Sequence, residues 1–174
     1  MNAKERLNAL ELALNNEKTE REFYLKHAAR TKNKVGKRMF QQIADDELEH
    51  YKRLKELHEK WSKNEKWPET VPLKVSQTNV KDVLQDVVSK VGEEVEKDAD
   101  DIQALEIATR FEDKGVSFYA KLAETVEDPR EKDFFKLLSQ IEREHFLSLK
   151  ETLEYLKDPA AYFVEMEKPG LDGA

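Results

Sequence analysis

Apolar residues recur at intervals of three, four and seven positions along most of this chain, which predicts amphipathic helices. The pattern predicts four long helices, over about 4–30, 34–61, 102–126 and 128–156. A shorter helix is predicted over 80–95 and a last one between Pro159 and Pro169. Pro68 and Pro72 should break any helix in the middle section. The chain is therefore expected to be all-α.

The chain also repeats itself at an offset of 95 residues. Residues 9–57 match residues 104–152 at 17 of 49 positions without a gap. Because both stretches contain two of the long predicted helices, the chain is expected to hold two similar helical hairpins. Two such hairpins with a long connection between them form a four-helix bundle.

We expect these parts to form a single domain over residues 1–174. A connection without any helix would be unusually long for a compact domain, so the predicted helix within it supports this interpretation. The predicted parts are a first hairpin at about 4–61, a crossover at about 62–101, a second hairpin at about 102–157, and a short C-terminal helix and tail at 158–174.

The repeat carries side chains that can bind metal. Residues three apart on a helix are neighbours on one face, and residues seven apart lie two turns along the same stripe. If these stripes face the bundle interior, four carboxylates and two imidazoles converge, and two divalent ions would balance four ionised carboxylates. This ligand chemistry suits iron, manganese or zinc, and favours iron or manganese. The recurring pairs are Glu17 and Glu112, Tyr24 and Tyr119, Glu47 and Glu142, and His50 and His145.

Chance and ordinary packing offer alternative explanations for these residues. A single Glu-x-x-His is weak support, because 25 of the 174 residues are Glu, but the same placement of four residues in both copies is a stronger signal. His27 and His58 do not belong to such a repeated set and are expected at the surface or the bundle edge. Tyr24 and Tyr119 could be plain core aromatics; their repetition beside the acidic residues favours hydroxyls that hydrogen-bond to ligand carboxylates.

The amino-acid composition argues against several classes of function. The net charge of −7, with no tract rich in Lys or Arg, argues against nucleic-acid binding. The absence of cysteine excludes disulfides, thiolate catalysis and thiolate-bound metal. The charged N-terminus has no apolar signal core, and no stretch approaches the ~20 apolar residues of a membrane span. A cytoplasmic protein is the default expectation.

The motifs EKTEREFY, DELEH, EDKGVSFY and IEREH together resemble those of the rubrerythrin-like branch of the ferritin-like superfamily. The resemblance covers the four long helices. It implies a ferritin-like four-helix bundle with a non-haem di-iron centre, in which the tyrosines hydrogen-bond to ligand carboxylates. It also implies a reaction with hydrogen peroxide or dioxygen.

Two departures from this family pattern stand out. Full-length members carry a rubredoxin-like domain, which this cysteine-free chain is expected to lack, so electrons are expected to come from an external donor such as a rubredoxin-like protein or a reductase. The family usually has a further Glu three residues after the ligand Glu of the third long helix, where this chain has Gly115. The matching residue of the first helix is Glu20, which we hypothesise to be a seventh ligand, with His145 as its partner; a surface position is the alternative.

The function expected from these features is a di-iron oxidoreductase that reduces hydrogen peroxide or dioxygen and acts as a homodimer. The expected cofactor is two iron ions, with manganese or zinc as alternatives. Other hypotheses are an iron-binding or ferroxidase protein without sustained peroxidase turnover, a helical binding protein whose zinc is only structural, and an oxygenase with an organic substrate.

Overall fold

The computed structural model describes residues 3–63, 75–92 and 99–167, and within these ranges every regular element is an α-helix. The prediction of an all-α protein is confirmed. No helix in these ranges is long and apolar enough to cross a membrane. The helices are α1 (Ala3–Arg30), α2 (Lys34–Ser62), α3 (Val80–Val91), α4 (Ala99–Thr125), α5 (Pro129–Lys157) and α6 (Pro159–Glu167).

Two helix boundaries differ from the prediction by several residues. The helix predicted over 80–95 ends at Val91, because Gly92 adopts a φ of 67°, which breaks the helical path. Helix α4 begins at Ala99 rather than at residue 102. Its first turn contains Asp101, which is buried and accepts hydrogen bonds from Arg30 and Thr31. These contacts explain the earlier start. Pro68, Pro72, Trp67 and the tail lie outside the described residues.

The α1–α2 and α4–α5 hairpins pack against each other as a four-helix, ferritin-like bundle. Helices α1 and α4 are antiparallel, because Arg30 at the end of α1 contacts Asp101 at the start of α4, at 2.8 Å between Nη2 and Oδ1. The two hairpin turns therefore lie at opposite ends of the bundle. An approximate two-fold axis perpendicular to the bundle relates the two repeats.

The two hairpin turns end in equivalent helix caps. The Asn33 side chain accepts a hydrogen bond from the Gly36 backbone N–H at 2.9 Å, and the Asp128 side chain accepts one from Arg130 N–H at 2.8 Å. Glu131 follows the Asp128 cap but is buried and paired with Arg6, which also lies 4.1 Å from the Trp61 ring centroid. Glu131 therefore ties the start of α5 to α1.

The apolar core divides into two halves. One half includes Phe40, Leu84 and Leu105, and α3 covers it by packing on α2 and α5. The other includes Leu54 and Phe135, at the opposite end of the bundle. The charged residues of the repeat lie between these apolar halves.

Candidate metal centre

Six ionisable side chains of the repeat lie in the middle of the bundle. The helical stripes predicted from the sequence point inward, so each of the four long helices places one carboxylate in this layer. Each of the six residues is at most 2% exposed: Glu17, Glu47, His50, Glu112, Glu142 and His145.

The six side chains form two overlapping groups, each able to surround one ion. Within each group, one potential ligand atom per residue lies within 4.8 Å of all the others. Glu47 and Glu142 belong to both groups, so they stand between the two positions. The first group is completed by Glu17 and His50, and the second by Glu112 and His145.

The two imidazoles present the same nitrogen to the carboxylates. His50 Nδ1 lies 3.2 Å from an oxygen of Glu17 and 3.2 Å from one of Glu142. His145 Nδ1 lies 3.4 Å from Glu112 Oε2 and 3.5 Å from Glu47 Oε1. The ring centroids are 6.0 Å apart. Both Nδ1 atoms thus face the carboxylate layer, as ligands on either side of a shared centre would.

The electrostatics of this layer favour cations. Several buried atoms of these side chains have no hydrogen-bond partner, including both Glu47 oxygens, Glu112 Oε2, Glu142 Oε1 and His145 Nδ1. Burial, together with the neighbouring Glu47, raises the pKa of Glu17 to about 8 and the pKa of Glu142 well above its ordinary value. Buried acids crowded together without hydrogen bonds to their oxygens destabilise a fold. The donor set and its charge therefore fit two divalent metal ions.

Each of the two repeated tyrosines contacts a carboxylate of the opposite repeat. The Tyr24 hydroxyl donates a hydrogen bond to Glu112, and the Tyr119 hydroxyl donates one to Glu17. Both rings are almost completely buried. Burial and the nearby carboxylates raise the pKa of both hydroxyls well above the ordinary value. The tyrosines therefore remain protonated donors that orient these two carboxylates.

Sequence reasoning missed Asp46, which supports one imidazole but not the other. Asp46 Oδ2 lies 2.9 Å from His145 Nε2 and accepts a 2.6 Å hydrogen bond from the Thr78 hydroxyl. Although burial alone would raise the pKa of Asp46, the hydrogen bonds from His145 and Thr78 lower it. A proton held on Nε2 leaves Nδ1 free to bind metal. The repeat could have drawn attention to Asp46, because the first copy has an acid where the second copy has the apolar Ile141.

Replacing Asp46 with Asn is expected to weaken metal binding at the position beside His145 by about tenfold, because the partner that orients the imidazole becomes neutral. Calorimetric titration with Mn²⁺ or Zn²⁺ measures this, and one of the two binding events should weaken more than the other. Asp45→Asn is the matched control, since Asp45 is exposed and, among the described residues, accepts a hydrogen bond only from Gln41. Equal affinities in the two variants would show that Asp46 does not orient the ligand.

Gly115 and Glu20 occupy equivalent positions with different surroundings. A Cβ atom at Gly115 would lie 2.8 Å from Glu142 Oε2, so the Glu142 side chain fills the space that a residue at 115 would need. Glu20 is partly buried beside the layer, although it belongs to neither group of converging ligand atoms. Burial and the carboxylates of Glu47, Glu112 and Glu17 raise the pKa of Glu20 to about 10.

The other two histidines lie away from the layer. His27 is partly exposed and packs against Phe23, with ring centroids 4.3 Å apart. His58 Nε2 lies 3.4 Å from the exposed Glu11 carboxylate. Neither residue joins a converging group of ligands in the described parts of the chain.

Comparison with known proteins supports one family assignment. The rubrerythrin family model matches residues 8–153, which include all of α2 and α4, most of α1 and α5, and all the residues of the candidate centre. No curated protein and no solved structure matches the chain. Rubrerythrin-type proteins bind a di-iron centre, and the buried carboxylates and imidazoles described above are groups that can hold such ions. The chain belongs to the rubrerythrin family.

Proposed function

We propose that this protein is a di-iron oxidoreductase that reduces hydrogen peroxide with electrons from an external donor. Two ferrous ions would supply the two electrons that, with two protons, convert hydrogen peroxide into two water molecules. The observation that carries the proposal is the pair of overlapping ligand groups that share Glu47 and Glu142. A shared pair of carboxylates holds two ions close enough to act on one small substrate.

Each residue of the candidate centre has a proposed role that follows from its position. Glu17 and His50 would hold one ion, Glu112 and His145 would hold the other, and the two shared carboxylates would contact both. Tyr24 and Tyr119 would keep their protons and fix the orientation of Glu112 and Glu17. The apolar residues on both sides of the layer exclude bulk water, which favours a small substrate over a large organic one.

Stopped-flow oxidation of the pre-reduced protein tests this function. Anaerobic protein loaded with two Fe²⁺ per chain is mixed with hydrogen peroxide or with dioxygen, and the rise of ferric absorbance is followed. We expect the reaction with peroxide to be the faster. If peroxide is no faster than dioxygen, the peroxidase assignment fails. Iron uptake well beyond two ions per chain would instead support the alternative, an iron-binding or ferroxidase function.

We also propose that Glu20 is a seventh ligand at this centre. It has the same place in the repeat as Gly115, and its carboxylate lies within electrostatic reach of Glu47, Glu112 and His145. Position 115 carries no side chain, and Glu142 Oε2 lies 2.8 Å from where its Cβ would be, so Glu20 on α1 is the carboxylate of this equivalent pair.

Glu20→Gln is expected to weaken binding of one of the two ions about tenfold, because the neutral amide is a poor ligand for a hard cation. Mn²⁺ titration followed by electron paramagnetic resonance resolves the two binding events. Glu22→Gln is the matched control, because the Glu22 side chain is 67% exposed on the same helix. Parental affinity in Glu20→Gln, or a metal-loaded structure with Glu20 in solvent, would rule out the seventh ligand.

A further inference from the structure

A groove with a positive lining, called here the basic groove, lies between the start of α2 and the end of α3. Its volume is about 900 Å³. Five of its lining residues are basic and one, Asp86, is acidic, which leaves four net positive charges in a chain with a net charge of −7. Val87 and Val91 form part of its wall. The basic residues are Lys32, Lys34, Lys37, Arg38 and Lys90.

Most of these cations form no ion pair with another described residue. Lys90 pairs with Asp86 at 2.7 Å, but the other four are exposed and have no ion-pair partner among the described residues. Lys34 and Lys37 also stand at the start of α2, whose first turn contains no acid. The positive end of a helix dipole disfavours lysine there. The positive charge of the basic groove therefore has no explanation in local stability.

Arg38, in the lining of the basic groove, lies on the same face of α2 as two side chains that lead to the candidate metal centre. Arg38, Gln42 and Asp46 follow one another at four-residue intervals, so they share one face of α2. Gln42 Nε2 donates a 3.1 Å hydrogen bond to Asp46 Oδ1, and Asp46 Oδ2 lies 2.9 Å from His145 Nε2. The second repeat has Ile141 at the place of Asp46 and cannot form this connection.

We propose that the basic groove docks the electron donor, a small redox protein with an acidic surface, and that electrons enter along Gln42, Asp46 and His145. This inference rests on the proposed function, which requires an external donor. Two one-electron transfers, each of which oxidises one donor molecule, would restore the ferrous pair after every turnover. Exposed lysines spread around an open groove attract a charged protein surface over a distance and accelerate its association.

Binding of a redox-inactive donor tests the docking site without relying on catalysis. The probe is an acidic rubredoxin with Zn²⁺ in place of iron, titrated into the metal-loaded protein and followed by NMR at low ionic strength. We expect Lys34→Glu with Lys37→Glu to raise the Kd about tenfold, and the difference to disappear in high salt. The double variant should fold, because acids at the start of a helix are favourable.

The second repeat provides the matched control. Lys132 is the equivalent of Lys37 at the other end of the bundle, and Lys136 lies one turn further along α5. Lys132→Glu with Lys136→Glu changes the net charge by the same amount but should leave the Kd unchanged. An equal loss of binding in both double variants would show that only the overall charge matters. Parental binding in the α2 variant would also overturn the docking site.

Two kinetic measurements separate this inference from the proposed function. Oxidation of the pre-reduced protein by peroxide bypasses the donor, so the Lys34 and Lys37 variant should react at the parental rate. Reduction by iron-containing rubredoxin should show a higher KM in that variant. Gln42→Leu should lower kcat for the donor with an unchanged Kd, and an unchanged kcat would refute the route. If the parent fails to react with peroxide, the proposed function fails, whereas the rubredoxin titration still decides the docking site.

Discussion

Glu142→Gln is expected to weaken binding of both metal ions strongly and, at the same time, to stabilise the metal-free protein. Glu142 belongs to both ligand groups, so its loss removes a negatively charged oxygen ligand from each position. We expect the affinity for either ion to fall by roughly 100-fold or more. Among the described residues only Glu47 also belongs to both groups, so Glu47→Gln should affect both positions in the same way.

The gain in stability has a separate cause. Burial raises the pKa of Glu142 well above its ordinary value, and the carboxylates of Glu47 and Glu112 add to the shift. At pH 8 the folded metal-free protein must therefore keep a proton on this acid or accept the repulsion, whereas the unfolded chain releases the proton freely. A neutral Gln avoids this penalty, and we expect a gain of roughly 2 kcal/mol in the free energy of unfolding.

Metal titration and chemical denaturation of chelator-treated protein measure the two effects. Glu144→Gln is the control, since Glu144 is exposed two residues further along α5. Two ions bound at parental affinity in Glu142→Gln would mean that Glu142 is not shared between the positions. A loss of stability in the metal-free variant would mean that the ion pair between Glu142 and His50, at 3.2 Å, outweighs the repulsion.

Removal of the metal is expected to make the protein less stable as the pH rises. The pKa of Glu17 is about 8 in the folded protein, against an ordinary value of 4.5. The folded state therefore holds a proton that the unfolded chain releases. The associated stability is complete below about pH 4.5 and is lost as the pH rises through about 8.

The two imidazoles act in the same direction. Burial alone would lower the pKa of His50 and of His145, but the surrounding carboxylates raise both well above the ordinary value. Protonated imidazoles thus stabilise the metal-free fold at low pH and lose that effect as the pH rises. Bound divalent ions replace these protons and bind better as the ligands deprotonate, so the metal-loaded protein should not lose stability over the same range.

Thermal unfolding at pH 5, 7 and 9, with and without metal, measures this difference. We expect the Tm of the metal-free protein to fall by roughly 10 °C from pH 5 to pH 9, which corresponds to about 3 kcal/mol in a chain of this length. The Tm of the loaded protein should change much less. Parallel curves for the two forms would contradict the prediction, and metal-free Glu142→Gln should show a shallower decrease.

Much of the fold was predictable because local patterns determine it. The spacing of apolar residues predicted the helices, and the offset of 95 residues predicted two similar hairpins. The end of α3 was not predicted, because Val95 continued the apolar pattern and concealed the effect of a left-handed Gly92. The early start of α4 was missed because Asp101 becomes buried only through its contacts with Arg30 and Thr31 at the other hairpin.

The sequence by itself determined which residues share a helix face, since that follows from 3.6 residues per turn. It placed Glu47 beside His50, and Glu142 beside His145, within single helices. Only the tertiary structure decided which faces meet. The antiparallel packing of the hairpins brings Tyr24 to Glu112 and Asp46 to His145, and it fills the space beside Gly115 with the Glu142 carboxylate. These contacts depend on the register between helices distant in the chain, which helical periodicity does not specify.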